Sequence, residues 1–190
     1  MKKVFVYVLK ELSIITLILA PLVLSFQPAL ASQNDGLHYY DVVEKNVLSR
    51  SSLPNNEQIG WLSDQGVKSL VDLIPYSESK KANITKLANF KSHSFHFLHL
   101  AIPNSTAPTN SQATKFLNFV TSSSNQPVHV FCKAGIARTG TIVALYRYSV
   151  QGWTMSKAIN ESRNYGVGVS KKQKTWLNQW ASNHKAGAWK

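Results

Sequence analysis

The sequence VHVFCKAGIARTG, residues 128–140, decides the fold and the chemistry of this chain. Its apolar start predicts a buried strand ending at Phe131, and the apolar run over residues 141–150 predicts a helix that begins near Thr139. Gly135 lets the short connection between them follow a tight path. Backbone N–H groups at a helix start lack intrahelical partners and bind phosphate well. The segment therefore predicts a phosphate-binding loop between a strand and a helix.

Three side chains of this loop carry the predicted catalysis. Cys132 lies at its base, where the helix start and Arg138 favour a nucleophilic thiolate. The planar fork of Arg138 suits two phosphate oxygens at once. Thr139 is placed to donate a hydrogen bond to the sulfur, which helps it leave from a phosphocysteine intermediate. The residues predicted to surround the phosphate are Lys133, Ala134, Gly135, Ile136, Ala137 and Arg138.

Strands and helices alternate along the chain after an N-terminal segment. Residues 32–50 show no clear period and are interpreted as an irregular lead-in. Branched apolar residues predict strands over residues 67–73, 94–101 and 127–131. Helical spacing and end signals predict helices over residues 54–65, 77–90, 141–150 and 154–163, another around Phe116, Leu117 and Val120, and a last one from Ser170. This order predicts a single α/β domain whose mainly parallel central sheet is flanked by helices. Ligands in such folds bind beyond the carboxyl ends of the strands.

The N-terminal segment has the pattern of a secretory signal peptide. Lys2 and Lys3 give it a positive start, and residues 12–26 are almost wholly apolar. Ala29 and Ala31 then fit the small-x-small pattern of a cleavage site. We therefore expect cleavage after Ala31.

Cleavage there divides the chain into a signal peptide, residues 1–31, and a mature domain, residues 32–190, exported to a periplasm or to the exterior. The alternative is a retained membrane anchor formed by residues 4–26, which would give the protein a membrane association. Against the anchor, the uninterrupted apolar run is only about 15 residues, whereas a spanning helix needs about 20.

Charge and cysteine content narrow the function classes. The net charge of +12 favours anionic partners such as phosphate esters. Basic runs with interleaved aromatic residues, which grip single-stranded nucleic acid, are missing from the sequence, so nucleic acid is not an expected partner. Cys132 is the only cysteine, so the chain forms no internal disulfide. The expected partner is a phosphorylated protein or a small phosphoester.

The stretch CKAGIARTG, residues 132–140, resembles the signature loop of the protein-tyrosine and dual-specificity phosphatase superfamily. Residues 47–73 look like the opening strand, helix and second strand of that family, and residues 140–166 look like its helix pair after the loop. The likeness covers most of residues 45–182 and, together with the predicted signal peptide, indicates an exported, bacterial-type member. It also implies attack by Cys132, phosphate binding by the loop amides and Arg138, and hydrolysis without a metal or cofactor.

Two departures from the family pattern concern the catalytic groups. The family usually has His directly before the nucleophile, whereas this chain has Phe131, and its nearest histidine, His129, is interpreted as a packing or surface residue. The family's general acid is an Asp four residues before a Pro, and the matching residue here is Asn104, which cannot donate a proton to an alkoxide. Asp72, at a predicted strand end, is a second candidate. The general acid is left unassigned.

Three functions follow from this pattern. The first is a cysteine-dependent phosphatase acting on phosphotyrosine or on mixed phosphomonoesters. The second is a phosphoinositide or phosphoanhydride phosphatase, which Lys133 and the basic charge favour and the apolar pair Ile136 and Ala137 disfavours. The third is a phospho-ligand-binding pseudophosphatase that has lost its general acid, and the retained Cys132 argues against it.

Overall fold

The computed structural model describes residues 36–78 and 94–189 of the chain. Its centre is a five-stranded sheet in the order β1-β2-β5-β3-β4. Only β1 runs antiparallel to its neighbour, and the other adjacent pairs are parallel. The strands are β1 Asp41–Glu44, β2 Leu48–Ser52, β3 Ser69–Asp72, β4 His96–His99 and β5 Val128–Cys132. The predicted α/β fold with a mainly parallel central sheet is confirmed.

Helices connect the parallel strands and follow the last one. They are α1 Asn56–Asp64, α2 Asn110–Thr121, α3 Ala137–Ser149, α4 Met155–Glu161 and α5 Lys171–Asn183. Short 3₁₀ turns cover Tyr76–Glu78, Ser123–Asn125 and Ser162–Tyr165. Asn55, Thr109 and Ser170 each form a complete capping box with the glutamine three residues later, which fixes the starts of α1, α2 and α5. Buried apolar side chains from α1, α2, α3 and α5 form one core with the sheet.

The interpretation of residues 32–50 as irregular is wrong, because β1 and most of β2 lie there. Every residue of β2 is buried, although four of its five side chains are polar. A buried strand of that composition has neither the apolar run nor the alternation by which strands are recognised in a sequence. Only the family resemblance, which places an opening strand near residue 47, pointed to it.

Two further predictions fall largely outside the described residues. The signal peptide, residues 1–31, lies outside them, as does most of the helix predicted over residues 77–90. Among the helices of residues 36–78 and 94–189, none is both long and apolar enough to cross a membrane.

The topology determines where the loop of residues 132–138 lies. β5 is paired with β2 on one side and β3 on the other, so it occupies the middle of the sheet. Its last residue, Cys132, therefore lies at the carboxyl edge of a parallel sheet, with α3 beginning five residues later. α3 is buried along most of its length and anchors the loop from the other end.

Candidate active site

The backbone of the loop is packed directly against β2. Gly135 has a φ of +71°, and a Cβ there would lie 2.5 Å from the Ser52 nitrogen and 2.8 Å from the Ser51 carbonyl carbon. Real Cβ atoms do not approach other atoms so closely, and L side chains disfavour this φ as well. Only glycine fits this position, as the sequence predicted, so the loop is held in a tight curve around the end of β5.

A cleft of about 780 Å³ opens above the loop. Its described lining contains the predicted nucleophile, the predicted phosphate-binding arginine, four other loop residues predicted to surround the phosphate, and three residues from other segments. The lining residues are Cys132, Lys133, Ala134, Ile136, Ala137, Arg138, Glu78, Asn104 and Val167. Gly135 lies behind this surface, against β2. The structure therefore brings the predicted nucleophile, cation and acid position together in one cleft.

Arg138 is almost completely buried and is held at one end of its fork. Its Nη1 donates to the Ile102 carbonyl at 3.1 Å and to Glu78 Oε2 at 3.0 Å. The other oxygen of Glu78, Oε1, accepts the backbone N–H of Asn104 at 3.0 Å. Glu78 thus positions Arg138 and fixes the loop that carries Asn104. The sequence interpretation missed Glu78, and the only signal for it was an acidic residue shortly after the β3 strand end.

Among the described residues that line the cleft, Glu78 is the only one with a carboxylate. Both oxygens of this carboxylate accept hydrogen bonds, one from Arg138 and one from the backbone N–H of Asn104. Asn104 occupies the cleft wall where the resemblance expects an acid, and an amide does not supply a proton there.

Asp72, the second candidate for the acid, does not line the cleft. It is 4% exposed and its Oδ1 accepts the backbone N–H of Ile74 at 2.8 Å, the contact of a turn-capping aspartate. The structure therefore places Asp72 in the turn after β3, outside the lining of the cleft.

Thr139 also differs from the expectation. Its hydroxyl is buried, and within residues 36–78 and 94–189 it has no hydrogen-bond partner. The predicted bond from this hydroxyl to the sulfur of Cys132 is therefore not formed in this structure. The assistance of Thr139 to the leaving sulfur stays a prediction.

Two buried residues lie on the strands that adjoin the loop. The Nη2 of Arg50, in β2, donates to the Gly135 carbonyl. His129, in β5, is completely buried between two hydroxyls, with Nδ1 2.8 Å from Ser49 Oγ and Nε2 2.7 Å from Ser51 Oγ. Burial first, and then the positive charge of Arg50, lower the pKa of His129 to about 3. His129 is therefore a neutral packing residue.

Comparison with known proteins agrees with the phosphatase-like fold. The family described as "DSP-PTPase phosphatase fused to NAD+ Kinase" matches residues 24–179. The inositol diphosphatase SIW14 of Saccharomyces cerevisiae is 29% identical over 118 residues, which are 61% of this chain and 41% of that protein. The inositol diphosphatase DSP5 of Arabidopsis thaliana is 30% identical over 126 residues, which are 64% of this chain and 59% of that protein.

A solved structure of PTPMT1 in complex with PI(5)P has the same fold, with a TM-score of 0.65 at 23% identity, covering 76% of this chain and 96% of that one. Because the family match spans most of the chain, the protein belongs to the DSP-PTPase phosphatases, the dual-specificity and tyrosine phosphatases. The chain spans about half the length of the two inositol diphosphatases it resembles.

Proposed function

We propose that this protein is a cysteine-dependent phosphatase whose preferred substrates carry a phosphoanhydride, as in an inositol that bears a diphosphate group. The observation that carries the proposal is the cleft itself: it holds Cys132, the loop backbone and Arg138, and it has an amide, Asn104, at the position of the acid. This arrangement can bind and transfer a phosphoryl group, and the amide of Asn104 cannot protonate the group that leaves.

The first step is attack by the Cys132 thiolate on the phosphorus. The sulfur–phosphorus bond forms while the bond from phosphorus to the leaving oxygen breaks, and that oxygen keeps the electron pair. The loop amides and Arg138 stabilise the charge on the phosphoryl oxygens during transfer. A water molecule then attacks the phosphocysteine, releasing phosphate and restoring the thiolate. In the second step Thr139 is the proposed donor to the leaving sulfur.

The leaving group decides which substrates suit this cleft. An alkoxide is a poor leaving group and needs a proton, which general acids normally supply at a gain of about 10²–10⁴ in rate. The phosphate leaving from a phosphoanhydride carries its charge on several oxygens and departs without protonation. The lack of an acid at Asn104 therefore costs little on a phosphoanhydride and much on phosphoserine or phosphothreonine.

The charge and the relatives support the same choice. Lys133 is exposed at the cleft and adds positive charge beside Arg138, which suits a polyanionic substrate. Two relatives are named as inositol diphosphatases. A second candidate is the aryl ester phosphotyrosine, since a phenoxide also leaves readily and the apolar Ile136 and Val167 line the cleft where a ring could pack.

A substrate panel tests the proposal. Purified protein is assayed without metal against a diphosphoinositol phosphate, a phosphoinositide, phosphotyrosine, an aryl phosphate and phosphoserine. We expect the highest kcat/KM on the diphosphoinositol phosphate and the lowest on phosphoserine. Cys132→Ser should abolish every activity while leaving phosphate binding intact.

Other results would replace the proposal with one of its alternatives. Highest activity on phosphotyrosine or on a phosphoinositide would move the protein to that substrate class. Binding of phosphate without turnover on any substrate would make it a pseudophosphatase.

Export also remains part of the proposal, and the N-terminal residue of the protein recovered from its native host tests cleavage after Ala31.

A further inference from the structure

Arg50 is a buried, charged residue that has no role in the reaction proposed above. Its side chain is completely inaccessible, and within the described part of the chain its Nε and Nη1 have no hydrogen-bond partner. It takes part in neither of the two ion pairs found among those residues. Burying a guanidinium without a carboxylate is costly, so a compensating interaction is expected nearby.

The strand register places Arg50 on the same face of the sheet as the nucleophile. In the parallel pair of β2 and β5, Arg50 lies opposite Val130, and Ser52 lies opposite Cys132. Side chains alternate along a strand, so residues two apart share a face. Arg50 therefore points to the face of Cys132, one residue pair below it, and its length lets the guanidinium reach under the loop.

The contact with Gly135 explains what the guanidinium does there. Nη2 of Arg50 donates to the Gly135 carbonyl. In a trans peptide the carbonyl and the following N–H point in opposite directions. Drawing the Gly135 oxygen toward Arg50 therefore turns the N–H of Ile136 away from Arg50, and Ile136 lines the cleft. The same hydrogen bond keeps the Gly135 carbonyl oxygen, which would repel a phosphate, turned away from the cleft.

A ring beneath Arg50 holds the guanidinium in this place. The Tyr165 ring centroid lies 3.6 Å from Cζ, a cation–π contact. The Tyr165 hydroxyl donates to Asp41 Oδ2. Burial, that hydrogen bond and the charge of Asp41 raise the pKa of Tyr165 to about 12, so the phenol stays protonated and keeps the bond. Burial lowers the pKa of Arg50, and Tyr165, Cys132, Glu161 and Asp41 oppose that shift.

We propose that Arg50 is a positioning residue for the phosphate-binding loop: from the neighbouring strand it holds the Gly135 carbonyl and supplies positive charge behind Cys132. This inference rests on the proposed function, because it assigns Arg50 to the same phosphate site. Arg50 would then support the loop in a chain that has Phe131 where the family usually has a histidine.

Binding of tungstate, a phosphate-like anion that needs no turnover, tests this role by calorimetry. The matched control is Arg147, which likewise donates to a backbone carbonyl, that of Val43 at 2.8 Å, and stacks on a ring, that of Trp153 at 4.3 Å. We expect Arg50→Gln to weaken tungstate binding about tenfold or more. Arg50→Lys should recover part of that loss because it restores the charge without the fork, and Arg147→Gln should leave tungstate affinity unchanged.

Thermal denaturation first establishes which variants are folded at the assay temperature. Unchanged tungstate affinity in folded Arg50→Gln overturns the inference while the proposed function stands, provided wild type hydrolyses its substrates. If Arg50→Gln does not fold, Tyr165→Leu decides, since it removes the ring beneath the guanidinium: weaker tungstate binding supports the inference and unchanged binding overturns it. Wild type that binds no tungstate overturns both proposals, because there is then no anion-binding loop to hold.

Discussion

Glu78 connects Arg138 to the loop that carries Asn104, the residue at the expected position of the general acid. Its Oε2 lies 3.0 Å from Nη1 of Arg138, and its Oε1 accepts the Asn104 N–H at 3.0 Å. Arg138 uses only Nη1 in its bonds to Glu78 and to the Ile102 carbonyl. The other edge of its guanidinium, formed by Nε and Nη2, takes part in neither bond and can face a phosphate. One carboxylate thereby orients the guanidinium of Arg138, the predicted phosphate ligand, and fixes a wall of the cleft.

Removing the carboxylate of Glu78 should weaken the binding of phosphate substrates. Hydrogen bonds to charged groups are worth about 1.5–3 kcal/mol, so Glu78→Ala should lower kcat/KM by roughly 10- to 100-fold, mostly through a higher KM. Glu78→Gln keeps an oxygen for Arg138 and should lose less. Steady-state kinetics on an aryl phosphate measure both. Equal kcat/KM in wild type and Glu78→Ala would show that Arg138 needs no such partner.

Restoring an acid at the position of Asn104 should change which substrates are hydrolysed. Asn104→Asp places a carboxyl group on the cleft wall, where it can protonate a leaving alkoxide. We expect the rate on phosphoserine to rise by at least about tenfold, because the serine alkoxide needs a proton to leave. The rate on a phosphoanhydride should change little, because its leaving phosphate needs none. Parallel assays of the two substrates at several pH values measure the effect.

The control for this substitution is Ser105→Asp, which adds the same charge one residue further along. Ser105 is exposed and does not line the cleft. A similar gain from Ser105→Asp would mean that added negative charge and not proton donation raises the rate. No gain from Asn104→Asp would show that the side chain at this position does not reach the leaving group.

The parts of the molecule that could be predicted from the sequence are those whose cause is local. The apolar run before Cys132, the glycine at 135 and the apolar helix after it predict β5, the loop and α3, because each rests on propensity and period. The capping residue Ser170 likewise fixes the start of α5. Local patterns of this kind were enough to place Cys132, the phosphate-binding loop predicted around it and Arg138.

The parts that could not be predicted depend on partners distant in the chain. β2 is buried although Ser49 and Ser51 are polar, because both hydroxyls bind His129, about 80 residues further on. Glu78 gains its role only through Arg138, 60 residues away. Neither pairing leaves a pattern in the sequence near either partner, so a strand and a positioning carboxylate were both overlooked.

Gly135→Ala should remove phosphate binding by displacing the loop. A methyl group at this position meets the Ser52 nitrogen at 2.5 Å and the Ser51 carbonyl oxygen at 2.9 Å, which are backbone atoms of a central strand and cannot easily move. We expect loss of tungstate binding and of turnover. The control is Gly66→Ala, where φ is +80° but no atom lies within 4 Å of the added methyl.

Gly66→Ala isolates the cost of the left-handed backbone, about 1–2 kcal/mol, without any clash. Gly135→Ala should cost more than this in urea unfolding, and only Gly135→Ala should abolish tungstate binding. If both variants lose the same stability and both bind tungstate, the contact between the loop and β2 is looser than the distances indicate.

Acidification should destabilise the fold through His129. The pKa of His129 is about 3 in the folded protein, because of burial and then Arg50, against 6.5 when exposed. Between pH 6.5 and pH 3 the unfolded chain therefore binds a proton at this residue that the folded chain does not. Stability from this residue is complete above pH 6.5 and decreases as the pH falls, at about 1.4 kcal/mol per pH unit.

Urea unfolding of wild type at several pH values measures this loss, which should reach about 2 kcal/mol between pH 7 and pH 5. His129→Gln provides the control, because its amide can bond to Ser49 and Ser51 but does not titrate. The variant shares every carboxylate with wild type, so the difference between the two pH curves reports His129 alone. We expect a flatter curve for His129→Gln, and parallel curves would mean that His129 takes up its proton without leaving its buried site.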